Sequence, residues 1–192
     1  MLRYALIGAL MLSSAAAMAE GPSYSYIQAA YEEVDVDFGG GIDADGDGFS
    51  LGGSVPIGDS WFIFAGYGSS DLESVIDLTV LTIGGGWHTA IAPNTDFFAA
   101  LGFADGEVDI SGFGSEDDSG YSLEAGIRSM MSNELELYGS ISQVDFDGFG
   151  DGTQLNAGLW YTVSGNLALG LGASFEDDIT SYGIGIRLYF DR

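Results

Sequence analysis

The chain of 192 residues contains no cysteine, no lysine, one histidine and three prolines. The missing cysteines exclude a disulfide framework and any thiolate metal centre, so stability has to come from backbone pairing and burial. With no lysine and only four arginines the formal net charge is -25. So negative a surface repels phosphates, which excludes nucleic-acid binding. Long hydrophobic runs are lacking too: after the first twenty residues the apolar segments are short and broken by Gly, Ser, Thr or a charge. No transmembrane helix is expected, and a membrane-spanning form has to be a closed sheet, because lipid offers no partner to an open edge. Yet 46% of the residues are hydrophobic. A chain both apolar and acidic has to keep the two properties in different places.

The N-terminus has its own pattern. Arg3 supplies a positive start, Ala5 to Leu12 an apolar stretch, and Ala17-Met18-Ala19 a small-x-small cleavage site. These are the parts of a secretory signal peptide, and the apolar stretch is shorter than the about 20 residues of a membrane anchor. Residues 1–19 are therefore expected to be removed, leaving residues 20–192 as one domain. That mature chain carries three arginines against 29 carboxylates, a formal charge of -26.

From Tyr24 onward the period is two. Tyr182, Ile184, Ile186, Leu188 and Phe190 alternate with Ser181, Gly183, Gly185, Arg187 and Tyr189, and the segments before them repeat the pattern. Successive side chains of a strand point to opposite faces, so each segment has an apolar face and a small or polar one. Ten segments follow: 24–37, 47–57, 60–71, 77–91, 95–109, 119–131, 134–146, 151–163, 166–176 and 180–190. Tight turns (Gly58-Asp59, Ala92-Pro93-Asn94, Ser132-Asn133, Ser164-Gly165) alternate with mostly longer Gly- and Asp-rich loops. That alternation predicts an all-β, antiparallel up-and-down transmembrane barrel, with both termini on the turn side.

Two features support it independently. Aromatics close both ends of the apolar face: Trp61, Trp87, Phe97, Tyr161 and Phe190 near the turns, and Tyr31, Phe49, Tyr67, Phe103, Tyr121, Phe175 and Tyr182 near the loops. Such belts mark the lipid headgroup level. The acids segregate as well, with 22 of the 29 on the loop side.

In these residues, above all the aromatic-ended closing segment Tyr182 to Phe190, the chain resembles the small outer-membrane β-barrel proteins of the OmpA-membrane-domain, OmpX and opacity type. The chain departs from them by continuing to Asp191 and Arg192. The resemblance implies residence in a Gram-negative outer membrane, contact with outer-membrane lipid and lipopolysaccharide, and recognition of the closing strand by the barrel assembly machinery. Its eight-stranded members make eight strands the alternative, with two of the ten segments as hairpin extensions.

Parity places Arg128, Arg187, Glu124 and Glu136 on the inward face, where a charge is tolerated; facing lipid at mid-depth it costs roughly 2–4 kcal/mol. They are read as a lumenal charge network bracing the barrel, with a pore constriction as the rival. Phe62, Phe64, Phe98, Tyr26, Tyr138, Trp160 and Tyr189 also point inward, and inward glycines leave them room to lie flat. A filled lower half and at most a shallow outward-facing cavity are expected. Asp43, Asp45 and Asp47 match the first half of an EF-hand loop, but Ser54 stands where the closing Glu belongs. The better reading of the acidity is collective: loosely held Ca²⁺ or Mg²⁺ at the rim, bridging to lipopolysaccharide phosphates. No other cofactor is implied. His88 and Thr82 share a face, yet nothing marks either as activated, so no catalytic residue is assigned. The function expected is a non-enzymatic integral outer-membrane protein, structural or surface-interacting, with acidic extracellular loops. The alternative is a narrow cation-preferring channel or small-solute pore, and a barrel enzyme comes third.

Overall fold

The structure, a computed structural model, describes residues 21–37, 43–72, 76–148 and 150–191, with the backbone alone for Asp43. The expected signal peptide, 1–19, lies outside the described residues. Ten strands form: β1 Tyr26–Asp37, β2 Asp43–Ile57, β3 Trp61–Leu72, β4 Ile76–Ala92, β5 Thr95–Ile110, β6 Gly114–Met130, β7 Leu135–Phe146, β8 Gly150–Ser164, β9 Leu167–Glu176 and β10 Ile179–Tyr189. Each pairs antiparallel with its neighbours in sequence, and β1 pairs with β10 to close the ring. The eight-stranded alternative is overturned: every segment has two ladder partners, so none is a mere hairpin extension.

Several of the expected loops are strand. β2 begins at Asp43 and β6 at Gly114, four and five residues before their expected starts. The β5–β6 connection shrinks to Ser111-Gly112-Phe113, and β9–β10 to Asp177-Asp178. Ladder bonds join backbone to backbone, so acidic and Ser-rich residues continue a hairpin as long as the partner strand continues too. Gly112 and Gly114, with φ of 87° and 98°, make the reversal that a side chain would oppose.

The outward face of the central band is oily. Ile27, Leu51, Ile63, Ile83, Leu101, Ile141, Leu155, Leu171 and Ile184 are all exposed, as lipid-facing residues of a barrel have to be. Rings bound this band at both ends. Trp61 stands opposite Trp87 across β3–β4 at the turn end. At the far end Phe103–Tyr121 and Phe175–Tyr182 meet edge to face with centroids 6.2 Å apart.

Beyond the far belt the outward positions turn from oily to acidic. Glu33, Asp47, Asp71, Asp77 and Asp109 stand opposite one another in a single row across β1 to β5. These five acids thus form an outward-facing crown at the far ends of the strands.

Candidate functional site in the barrel lumen

The turn-end half of the lumen is filled. Tyr189 and Glu136 are fully buried, and Arg128, Arg187, Phe98, Phe62, Tyr24 and Met130 are buried beside them. Several of the aromatic rings lie against a glycine of the adjacent strand. A β-carbon on Gly170 would stand 2.5 Å from the Trp160 ring, on Gly84 2.7 Å from Phe64, and on Gly126 2.8 Å from Phe98. Rings over bare backbone are how ten strands, wider than the about eight that side chains readily fill, come to be packed with side chains at this end.

Glu136 of β7 sits at the centre. Arg128 of β6 donates Nε–H to its Oε1 at 2.8 Å, with Nη2 at 2.7 Å from the same oxygen. The Tyr189 hydroxyl of β10 donates to Oε2 at 2.9 Å. Arg187 reaches Oε1 with Nη1 at 3.4 Å, while its Nε and Nη2 donate to Gln28 Oε1 at 3.0 and 2.6 Å. Both guanidiniums also lie over rings: Arg128 over Tyr24 at 4.5 Å, and Arg187 over Trp160 at 4.0 Å and Tyr26 at 4.2 Å. A buried pair broken on one side leaves an uncompensated charge. Here the second arginine is held by Gln28 and aromatic faces as well as by the shared carboxylate.

Of the four residues expected to form a network, the structure brings together Arg128, Arg187 and Glu136. Glu124 is not among their partners. It accepts hydrogen bonds from Tyr138 Oη at 2.5 Å and Ser140 Oγ at 2.7 Å, farther from the turns. Gln28 and Tyr24 were missed. Gln28 shares inward parity with its register partner Arg187, a signal that β1–β10 pairing makes readable. Tyr24 precedes β1 and folds into the lumen, stacking on His88 at 4.0 Å and Phe62 at 4.8 Å. Burial pushes its hydroxyl above the usual phenol range, against the pull of Arg128.

His88 lies near the turns with Nδ1 2.9 Å from Asp96 Oδ2. Thr82 is six residues up β4, roughly 20 Å at the rise of a strand, so the two are not brought together. Asp43 to Gly48, the segment that matches half an EF-hand loop, is extended strand rather than a turn. Asp45 pairs opposite Asp35 and Asp47 opposite Glu33. Among the described residues no group of three or more His, Cys, Asp or Glu is arranged to hold a metal ion.

A closed ten-stranded ring with an oily band, two aromatic belts and charges turned inward defines a small integral outer-membrane β-barrel. The chain belongs to the outer membrane protein beta-barrel domain family, whose model matches residues 5–175. No curated protein matches it in sequence. Solved structures share the fold. The KdgM porin in complex with disordered oligogalacturonate is 11% identical, covering 86% of this chain and 99% of that one, with a TM-score of 0.51. The translocator domain of autotransporter NalP from Neisseria meningitidis is 11% identical (90% and 91% covered, TM-score 0.49), and Neisserial surface protein A is 14% identical (89% and 100%, TM-score 0.46). The protein resides in the outer membrane.

Proposed function

We propose that the protein is a non-conducting, non-enzymatic outer-membrane barrel that acts at the cell surface through its acidic crown. One observation carries this reading. The turn-end half of the lumen, periplasmic on this reading, holds Arg128, Glu136, Arg187 and Tyr189, each at most 6% exposed, and packing of this kind argues against an aqueous path. The non-enzymatic part rests on His88, whose ring is engaged by Asp96 and Tyr24 rather than by a nucleophile.

The crown faces outward just beyond the aromatic belt, at the level of lipopolysaccharide phosphates, which like charges would repel. Loosely held Ca²⁺ or Mg²⁺ would bridge the two. On the same reading residues 1–19 serve export and are removed, and the closing strand β10 engages the assembly machinery. The narrow-pore alternative draws on the open outer half of the lumen.

Planar-bilayer recording of the refolded protein tests the choice. No stable unit currents are expected from the native chain. Stable currents that change on substitution of Arg128 or Arg187 would overturn this reading in favour of a pore.

A further inference from the structure

Above Glu124 the inward positions change character. Val34 and Val36 of β1, Leu72 of β3, Leu78 of β4 and Val108 of β5 hold the same inward parity as the arginines below, while the acids of the crown hold the opposite one. The outer lumen is therefore a cup whose wall mixes these apolar side chains with inward Ser70, Ser142, Gln154 and Glu176, and whose outside is charged. It is also open. A β-carbon on inward Gly68 would meet nothing within 4 Å, and inward Val80 keeps 37% of its surface exposed. The floor is the filled periplasmic half, so the cup is blind.

On the β7–β9 side its wall forms a cavity of about 290 Å³, lined by Ser142, Val144, Phe146, Gly152, Gln154 and Glu176. That volume is at the small end of the roughly 300–1,000 Å³ of small-molecule sites. The Phe146 ring lies along the wall as far as Gly106 of β5, and the Glu176 carboxylate leans over Gly152. Glu32, which accepts from Ser50 Oγ at 3.2 Å, and Asp118, opposite Gly106, add further carboxylates of inward parity. Among the described residues both arginines and the histidine lie in the periplasmic half, and both arginines contact Glu136. Inside the cup there is thus apolar surface and negative charge with no base to neutralise it. An anion would be repelled, and a wholly apolar solute would leave the carboxylates desolvated without a partner.

We propose that the outer cup is a binding site for a small amphiphilic cation, an apolar body carrying an ammonium. The body would rest against Phe146 and Val144 and the ammonium against Glu176. This goes beyond the surface role proposed above and does not depend on it, since conductance is recorded without ligand.

The test is calorimetric titration of the full refolded chain in lipid nanodiscs, with protein-free nanodiscs subtracted. The probes are 3-phenylpropylammonium and the matched anion 3-phenylpropionate. Saturable one-to-one binding of the ammonium is expected, with at least tenfold weaker binding of the carboxylate. Gly68→Trp, which fills the open space, and Glu176→Gln are each expected to weaken ammonium binding at least tenfold. The proposal is overturned if the native chain shows no saturable binding of the ammonium, or binds the two probes equally. It is also overturned if both refolded variants keep native affinity. The comparison of the two probes needs no variant to fold.

Discussion

The indole of Trp160 lies flat on Gly170, directly opposite it across the β8–β9 ladder, with no room for a β-carbon between them. Gly185 on β10, the ladder partner of Gly170, lies beneath the far end of the same ring, a β-carbon there falling 2.9 Å from Cη2. Rings in a lumen of this width are held by the glycines under them. Gly170→Val has to push the indole into Arg187, which stacks on it at 4.0 Å. Overpacking of this kind costs about 1–3 kcal/mol. The loss is expected in denaturant unfolding in detergent, followed by Trp fluorescence, whereas Gly68→Ala, which faces open space, is expected to leave the midpoint unchanged.

Glu136 is the shared acceptor of Arg128, Arg187 and Tyr189. Glu136→Ala leaves two buried guanidiniums without their carboxylate, and loss of one partner of a buried pair costs about 3–5 kcal/mol. Glu124→Ala removes the acceptor of two neutral hydroxyls and is expected to cost less, about 1–3 kcal/mol for the groups left unsatisfied. Unfolding midpoints of the two variants in one lipid check the order. An equal loss from both would mean that the charge cluster has no special place in the fold.

That order was not legible in the sequence, although much else was. Period-two alternation around Leu167–Phe175 or Tyr182–Phe190 fixes strand, face and membrane band together, because only one face can meet lipid. Parity placed Glu124 and Glu136 on one inward face. Glu124 shares β6 with Arg128, four residues or about 13 Å away, whereas whether Glu136 reaches Arg128 depends on the stagger of β6 against β7, where Arg128 falls opposite Tyr138 and Glu136 one inward position nearer the turn. Gln28 and Arg187 are 159 residues apart and become neighbours only when the ring closes. The sense of the alternation at the far end was hidden for another reason: in Glu33-Val34-Asp35-Val36-Asp37 the alternation is unbroken, but oily side chains there turn inward and acids outward. A period of two reads the same for either sense, so the alternation alone does not say where lipid ends and water begins.

The row Glu33, Asp47, Asp71, Asp77, Asp109 sets like charges directly opposite one another on adjacent strands. Such pairs are destabilising by about 0.2–1 kcal/mol each, and the repulsion is screened as the Debye length falls from about 10 Å at 0.1 M salt to about 3 Å at 1 M. Asp71→Asn relieves two of them, since Asp71 faces Asp47 on one side and Asp77 on the other. It is expected to raise the thermal midpoint in low salt and to do so much less in 1 M NaCl. A gain independent of salt would show that charge is not its source.

Ile186 and Arg187 are adjacent on β10 and test the two faces of one strand. Ile186 is 54% exposed on the lipid side, whereas Arg187 is 6% exposed in the lumen. Ile186→Arg places a guanidinium in the oily band between Tyr182 and Phe190, at an expected cost of roughly 2–4 kcal/mol, the penalty for an arginine near the bilayer midplane. Glu33→Arg, also outward but beyond the aromatic belt, meets water and opposite charge and is expected to be neutral or stabilising. Denaturant titration of both variants refolded into liposomes checks the contrast. If Ile186→Arg unfolds at the native midpoint, the membrane does not lie between the two aromatic belts. If Glu33→Arg is the costlier change, the acidic extensions of β1 and β2 sit in lipid rather than above it.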